Sequence, residues 1–361
     1  MSFKFLALEK EAFGLDISDL SLKLIKLKEK RGGFVLESYN QADIELGVLK
    51  QGVIKNEDKL AKIIKEACLT AQGKKITMPY VIASLPEEKS FLQVIQMPRM
   101  EEKDLKSAIV FEVENYIPLP INEVYFDFQV IPASKNHTTH LDVLIVAMPK
   151  KIVNSYVSCF EKAGLIPIAF EVESQAISRA LIKNDSSSAP VILIDFGKNS
   201  TDVIVFFENS IRFTCSLPIS SMQLTVAIAE ALKVNIKKAD ELKIKHDLYA
   251  NKRNEKAKKI QQAIDPILND LVLQIKKYID FYQNHAYQED LFSNEKIEKI
   301  LLCGGGANLK GLTRFFQETL KIHTVLSYPQ INFSSRNIPN QFSKNALSFI
   351  TALGLALRKN V

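Results

Sequence analysis

Apolar positions alternate with polar ones in short runs and recur at helical spacing in longer ones, and the two patterns take turns along the chain. This interleaving predicts a mixed α/β protein and argues against a helical bundle or an all-β sandwich. Ser21 to Glu29 and Gly33 to Tyr39 read as two strands joined by the turn Lys30-Arg31-Gly32. Asn56 to Ala71 follows as an amphipathic helix, and Ile76 to Ser84 as a strand closed by Pro86. Next come a strand near Phe91 to Gln96, a helix from Glu101 to Tyr116 stopped by Pro118, and alternation at Val124, Phe126, Phe128 and Val130. Leu141 to Ala147 is strand-like and Lys150 to Ala163 helical. Lys183 to Ala189, with three consecutive serines, reads as the linker between two lobes.

A repeat emerges when Leu15 to Ile25 is laid without a gap on Ile194 to Ile204. Each copy is an apolar strand carrying an Asp (Asp16, Asp195), a short polar turn and a second apolar strand. Two such hairpins, one at the start of each half, imply a duplicated core whose turns face each other across a cleft. Backbone N–H groups and hydroxyls of tight turns cradle phosphates, and paired carboxylates hold Mg²⁺ through its waters. A third element has the same flavour: the apolar run Ile297 to Leu302 breaks into Gly304-Gly305-Gly306 and enters a helix near Leu309 to Thr319. Three glycines permit close backbone approach to a ligand. Neither a GxxxxGK[ST] loop nor a GxGxxG fingerprint is present, which disfavours those nucleotide folds.

Composition narrows the picture. The chain has 361 residues, enough for two lobes. Its net charge of +6 is too small and too scattered for a dedicated nucleic-acid binder. Part of that charge lies between Lys237 and Lys259, which reads as a solvated helical face. Cys68, Cys159, Cys215 and Cys303 show no metal-ligand spacing and read as buried thiols in a reducing compartment. Met1 to Lys10 is charged and unlike a signal peptide, and the longest apolar stretch, Ala346 to Leu357, is too short to span a bilayer. A cytoplasmic location is expected.

With its three turns in this order, the chain resembles the actin-like ATPase superfamily, and in detail the FtsA-like PilM family of type IV pilus assembly proteins. The closer resemblance rests on Gln96-Met97-Pro98, the segment from Glu101 to Pro120, and Asp127-Phe128-Gln129-Val130. Leu217-Pro218 before Gln223-Leu224-Thr225, Ala239 to Lys243, and Ala352 to Arg358 add to it. It implies a duplicated actin-like (ribonuclease H-like) two-lobe α/β fold with an inserted small α/β subdomain. It also implies a first-lobe core of residues 1–90, with 167–188 and 340–361 packing on it, and a partner-binding insertion over 91–166. The second lobe is then 189–339, with 220–284 as its outer subdomain.

For the site, the resemblance implies ATP and Mg²⁺ as ligands. Gly14, Asp16, Ser21 and Lys23 resemble the first phosphate loop; Asp195, Gly197, Ser200 and Thr201 resemble the second. Gly304, Gly305 and Gly306 resemble the nucleoside-packing loop, and Asp240 with Lys243 the pair that reaches ribose and adenine. Asp16 and Asp195 would order the metal through water. Glu173 matches the crossover segment beneath the cleft, a weak catalytic candidate that equally suits a helix-start carboxylate. The chain departs from the family at Ser18, at Lys198-Asn199 and at Ser220-Ser221, where glycine or smaller residues are usual. At most slow ATP hydrolysis is expected.

The implied partner is the N-terminal cytoplasmic peptide of PilN, bound by the insertion, with other pilus assembly components and self-association as further partners. The protein would then sit at the inner membrane only through its partner. Two alternatives stand beside this reading. A metabolic kinase of the superfamily needs a catalytic base, for which no distinctive motif is visible. A filament-forming division protein like FtsA needs a terminal amphipathic helix, and here the sequence ends directly after its last apolar segment.

Overall fold

The structure, a computed structural model, describes residues 10–30, 33–132, 140–249, 254–288, 296–328 and 339–358. The described residues start with an antiparallel meander of β1 (Phe13–Ser18), β2 (Ser21–Lys30) and β3 (Gly33–Asp43). Arg31 and Gly32 of the expected turn lie outside the described residues. A small hairpin of β4 (Leu49–Lys50) and β5 (Val53–Ile54) leads to α1 (Glu57–Leu69), after which β6 (Gln72–Gly73) pairs with β3. The α1 start is written in the sequence: Asn56 accepts the Lys59 N–H at 3.0 Å, and Glu57 and Asp58 complement the helix dipole. β7 (Tyr80–Leu85) then runs parallel to β1.

Between β7 and the next first-lobe element lie β8 (Phe91–Pro98), α2 (Glu102–Tyr116), β9 (Val124–Ile131) and β10 (His140–Pro149). Their strands form a separate antiparallel sheet in the order β8-β10-β9. α2 covers one face of it, burying Leu105, Ile109 and Val113 against Ile95, Met97 and Ile145. α3 (Lys150–Ala163) was expected inside this insertion. It belongs instead to the first-lobe core, where Ile152, Tyr156 and Phe160 pack with α1, so the inserted unit ends with β10. β11 (Ile166–Val172) pairs with β7 and completes the order β11-β7-β1-β2-β3-β6.

α4 (Glu173–Leu181) leads into the second half. The expected linker is tighter than its serines suggest: Asn184 and Asp185 take positive φ in a short 3-10 turn, and β12 (Ser187–Phe196) already begins at Ser187. β13 (Thr201–Glu208) and β14 (Ser210–Leu217) complete a second meander. Helices α5 (Ser221–Leu232), α6 (Ile236–Lys245) and α7 (Glu255–Gln288) follow, then β15 (Lys299–Cys303), α8 (Leu312–Leu320) and β16 (His323–Leu326). The sheet order is β14-β13-β12-β15-β16. Without β6, both large sheets share one order: third, second, first, fourth, fifth, with the last two strands parallel to the first. This is the duplicated ribonuclease H-like core, and the β8-β10-β9 unit is its insertion. The lysines of α6 and early α7 are exposed as a solvated face, except Lys243, which is buried.

The chain ends with α9 (Asn340–Asn345) and α10 (Ile350–Ala356). α10 crosses back to the first lobe and lies on β1 and α4, beneath a core joining Ile25, Ile177, Leu193 and Leu353. Two glycines make the approach possible. A Cβ on Gly14 would stand 2.3 Å from the Ala352 carbonyl oxygen, and one on Gly354 would stand 1.8 Å from that of Ala176. Because both obstructions are helix backbone, relief requires the helices to separate. Gly354→Ala is expected to lower stability by about 3 kcal/mol, as overpacking of a rigid core does. Urea unfolding should show this as a lower midpoint with unchanged slope.

Candidate functional site

The two repeated turns face each other across a cavity of about 200 Å³, bordered by Ser18, Asp19, Glu173, Asn199 and Ser200. On the first-lobe side, Asp16 is buried in β1. Lys23 donates to its Oδ2 at 3.3 Å and the Ser84 hydroxyl to its Oδ1 at 3.1 Å. Asp16 and Lys23 face each other because they are register partners across β1 and β2. Ser21 is buried and tied to Ser18, whose hydroxyl donates to the Ser21 carbonyl at 3.0 Å, so Ser18 borders the cavity in its place. Asp19 accepts the N–H groups of Gln51 and Gly52 at 2.6 and 2.9 Å, fixing the β4–β5 turn at the cavity wall. Gly14 is a correction to the expected loop: it packs α10 and does not face the cleft.

The second-lobe turn closes when the Gly197 N–H donates to the Ser200 carbonyl at 3.0 Å. Thr201 is fully buried and its hydroxyl donates to the Ile219 carbonyl at 2.6 Å, so it anchors the loop and presents no hydroxyl to the cleft. Ser220 caps α5 through a capping box with Gln223, which accounts for the departure from glycine there. Gly304, at φ 84°, brings the glycine loop against this turn; a Cβ there would stand 2.1 Å from Asp195 Oδ1. Gly306 similarly lies against the Phe196 ring, whereas Gly305 is exposed and a Cβ there would make only ordinary contact with Ser348 at 4.0 Å. Lys243 donates to Thr225 Oγ1 at 2.7 Å and to the Ser221 carbonyl at 3.1 Å, and pairs with Asp240 at 2.8 Å. With these contacts it joins α6 to α5, while Asp240 stays half exposed.

Carboxylates dominate the cleft. Burial, followed by the charge of Asp16 and opposed by Lys23, pushes half-buried Asp195 up to about 6. Burial and then the charge of Glu87 raise Asp202 well above the usual range. Glu173 is raised the same way by burial, Asp202 and Asp16. Glu173 and Glu87 cap each other's helical turns: the Glu87 N–H donates to Glu173 Oε2 at 3.2 Å, and the Ser174 N–H to Glu87 Oε2 at 3.0 Å. The helix-start role and the cleft position therefore coincide in Glu173. No trio of His, Cys, Asp or Glu among the described residues converges on a metal cage.

Because the native pKa of Asp195 lies above its unfolded value, the folded state binds more protons between about 4 and 6, and stability falls as pH rises through that window. Asp195→Asn should therefore raise the unliganded Tm at pH 7.5 by about 2 °C, roughly the shift for 1 kcal/mol in a large domain. The advantage should vanish below pH 4, and scanning calorimetry at both pH values checks it.

A second, larger concavity of about 860 Å³ separates the inserted sheet from the first lobe. Tyr125 to Gln129 of β9 line one wall, Phe170 to Val172 of β11 another, and Val153 and Val157 of α3 part of the rest. β9 and β11 are both edge strands. Lys150 stacks over the Tyr125 ring at 5.4 Å, and Glu171, bound bidentately by Arg179 at 2.6 Å and also by Arg358, closes the far end. The groove lies on the Tyr125 face of β9, opposite α2. The alternation expected for that strand breaks at its end, where Val130 is exposed and Ile131 buried.

Comparison with known proteins gives a consistent picture. A family model described as "Type IV pilus assembly protein PilM" matches residues 14–360. The fold is similar to that in the "PilM-PilN type IV pilus biogenesis complex", with TM-score 0.79, 26% identity, and 98% of this chain and 100% of that one covered. MreB5 of Spiroplasma citri, solved bound to AMPPNP, matches in fold at TM-score 0.54 and 11% identity, over 96% of this chain and 95% of that one. The cell division protein FtsA of Borreliella burgdorferi is 24% identical over 236 residues, 61% of this chain and 54% of FtsA. The chain thus spans about half the length of that curated relative.

Proposed function

Because the chain belongs to the type IV pilus assembly protein PilM family, we propose that it is a scaffold of pilus assembly that holds Mg-ATP between its lobes and captures the N-terminal cytoplasmic peptide of PilN. The observation that carries this reading is the groove of about 860 Å³ between two edge strands. Edge strands carry unpaired N–H and C=O groups, so an extended peptide gains main-chain bonds from either wall and places side chains among Leu144, Val146, Val153 and Val157. The groove belongs to an insertion absent from the repeated core, which suits a function added to a nucleotide-binding frame.

The cleft residues fit a nucleotide with its metal. Asp16, Asp195 and the turn hydroxyls are hard oxygen donors, and Gly304 leaves space beside Asp195 that any other residue would fill. A bound Mg²⁺ would neutralise phosphate and carboxylate charge. Asp16 and Asp195 would order its waters, Lys23 would add a cation on the first-lobe side, and Gly197 with Ser200 would form the second phosphate turn. Gly304 to Gly306 would pack the nucleoside, and Asp240 would reach the ribose while Lys243 holds α6 in place. Glu173 Oε2 is already engaged by the Glu87 N–H, which ties this carboxyl down as a cap and leaves it poorly placed to activate water, so turnover is slow. In this reading residues 1–90, 150–188 and 340–361 make up the first-lobe core, 91–149 the insertion, and 189–339 the second lobe with 220–284 as its outer part. No helix among the described residues is long and apolar enough to cross a membrane, so PilN would supply the membrane attachment.

Calorimetric titration tests both halves. A synthetic PilN N-terminal peptide should bind with about micromolar affinity, and Mg-ATP should bind separately. No peptide binding at a concentration of about 1 mM would overturn the scaffold reading.

A further inference from the structure

The inserted sheet is seated differently along its two edges. On the β8 side it lies against β14 of the second lobe. There Arg212 of β14, with a side chain only 2% exposed, reaches across to Asp142 of β10 at 3.0 Å. It also binds Glu208 at 2.9 Å and the Phe207 carbonyl at 3.4 Å. Asp142 stands in register between Gln96 of β8 and Ile131 of β9, so the contact grips the central strand near one end of the sheet. On the β9 side, the sheet meets the first lobe across the open groove. One edge is held by buried charge and the other borders a gap.

We infer that Arg212 couples the cleft to the groove, making nucleotide and peptide affinities interdependent. This rests on the proposed reading of both sites. The cavity of about 200 Å³ lies between turns carried by different lobes, so a phosphate chain and metal held by both turns would set the separation of the lobes. The lobes carrying those turns are bridged at the cleft mouth by Lys198 and Asp43, 3.8 Å apart, an exposed contact that yields easily. The Arg212–Asp142 contact does not yield so easily, because separating it takes one of two carboxylate partners from a buried arginine and leaves the largely buried Asp142 without its arginine. A shift of the second lobe therefore carries the inserted sheet with it and changes the spacing of β9 from β11. Any ligand that prefers one spacing then shifts the other's equilibrium by the same factor.

The test measures PilN-peptide affinity with and without saturating Mg-AMPPNP, and Mg-AMPPNP affinity with and without peptide, in full-length wild type, Arg212→Met and Asp142→Asn. In wild type each ligand should change the other's affinity by about 5-fold or more, equally in both directions. In both variants the factor should fall to within about 2-fold of unity, with each ligand's separate affinity kept. If Arg212→Met does not fold, Asp142→Asn, which leaves Arg212 its Glu208 partner, carries the test. A wild-type factor of one, or a folded variant that keeps the wild-type factor, overturns the inference while leaving the scaffold reading intact. Wild type that binds only one of the two ligands defeats that reading, and the inference with it.

Discussion

Replacing Asp195 with alanine is expected to weaken metal-dependent ATP binding by about 10- to 100-fold and to leave the metal-free component nearly unchanged. Asp195 lies at the end of β12, where the glycine loop presses against it and Asp16 and Asp202 crowd it with like charge. Burial, and after it the charge of Asp16, raises its proton affinity, and a divalent cation would offset the like charges around it. Losing one charge-assisted contact of this kind removes about 1.5–3 kcal/mol, which corresponds to the stated range. Isotherms with Mg-ATP and with ATP plus chelator separate the two components. Identical Mg-ATP isotherms for variant and wild type would remove Asp195 from the metal site.

Filling the groove should have the larger effect. Val157 is half buried on α3 and lines the groove wall. An arginine there occupies peptide space and leaves a charge facing apolar walls, so Val157→Arg is expected to lower peptide affinity by about 100-fold while Mg-ATP affinity stays within about 2-fold. Phe111, 74% exposed on the α2 face turned away from the groove, supplies the contrast. Phe111→Ser should leave both affinities unchanged. If Phe111→Ser abolishes peptide binding and Val157→Arg does not, docking is on the outer face of the insertion.

Much of the fold is legible in the sequence because the duplicated hairpins leave their mark on it. The overlay that pairs Asp16 with Asp195 also sets Lys23 against Asp202, and in the structure each is the cross-strand partner of its Asp. That charge reversal was a readable sign that the second turn is more acidic than the first, and it points to Asp202. Ser84 and Glu87 were not legible. They reach the cleft through β7, whose place beside β1 is set by sheet topology, and Glu87 meets Ser174 from 87 residues away. Gly14 misled for a related reason. A glycine two residues before a loop aspartate suits a phosphate turn, but this one admits a helix from the far end of the chain. Thr201 has the composition of a phosphate ligand, and only the fold shows that its hydroxyl is committed to Ile219. Alternation at Val124, Phe126 and Phe128 marks the face of β9 that packs into the insertion's core, but which element borders the groove depends on where β11 lies.

Hydrogen exchange of the full-length protein with and without the PilN N-terminal peptide locates the docked segment, since main-chain docking slows exchange of the amides it engages. Protection is expected at Tyr125 to Gln129 of β9 or Phe170 to Val172 of β11, with residues 220–284 unchanged. Protection confined to 220–284, with both groove strands unchanged, would contradict docking in the groove.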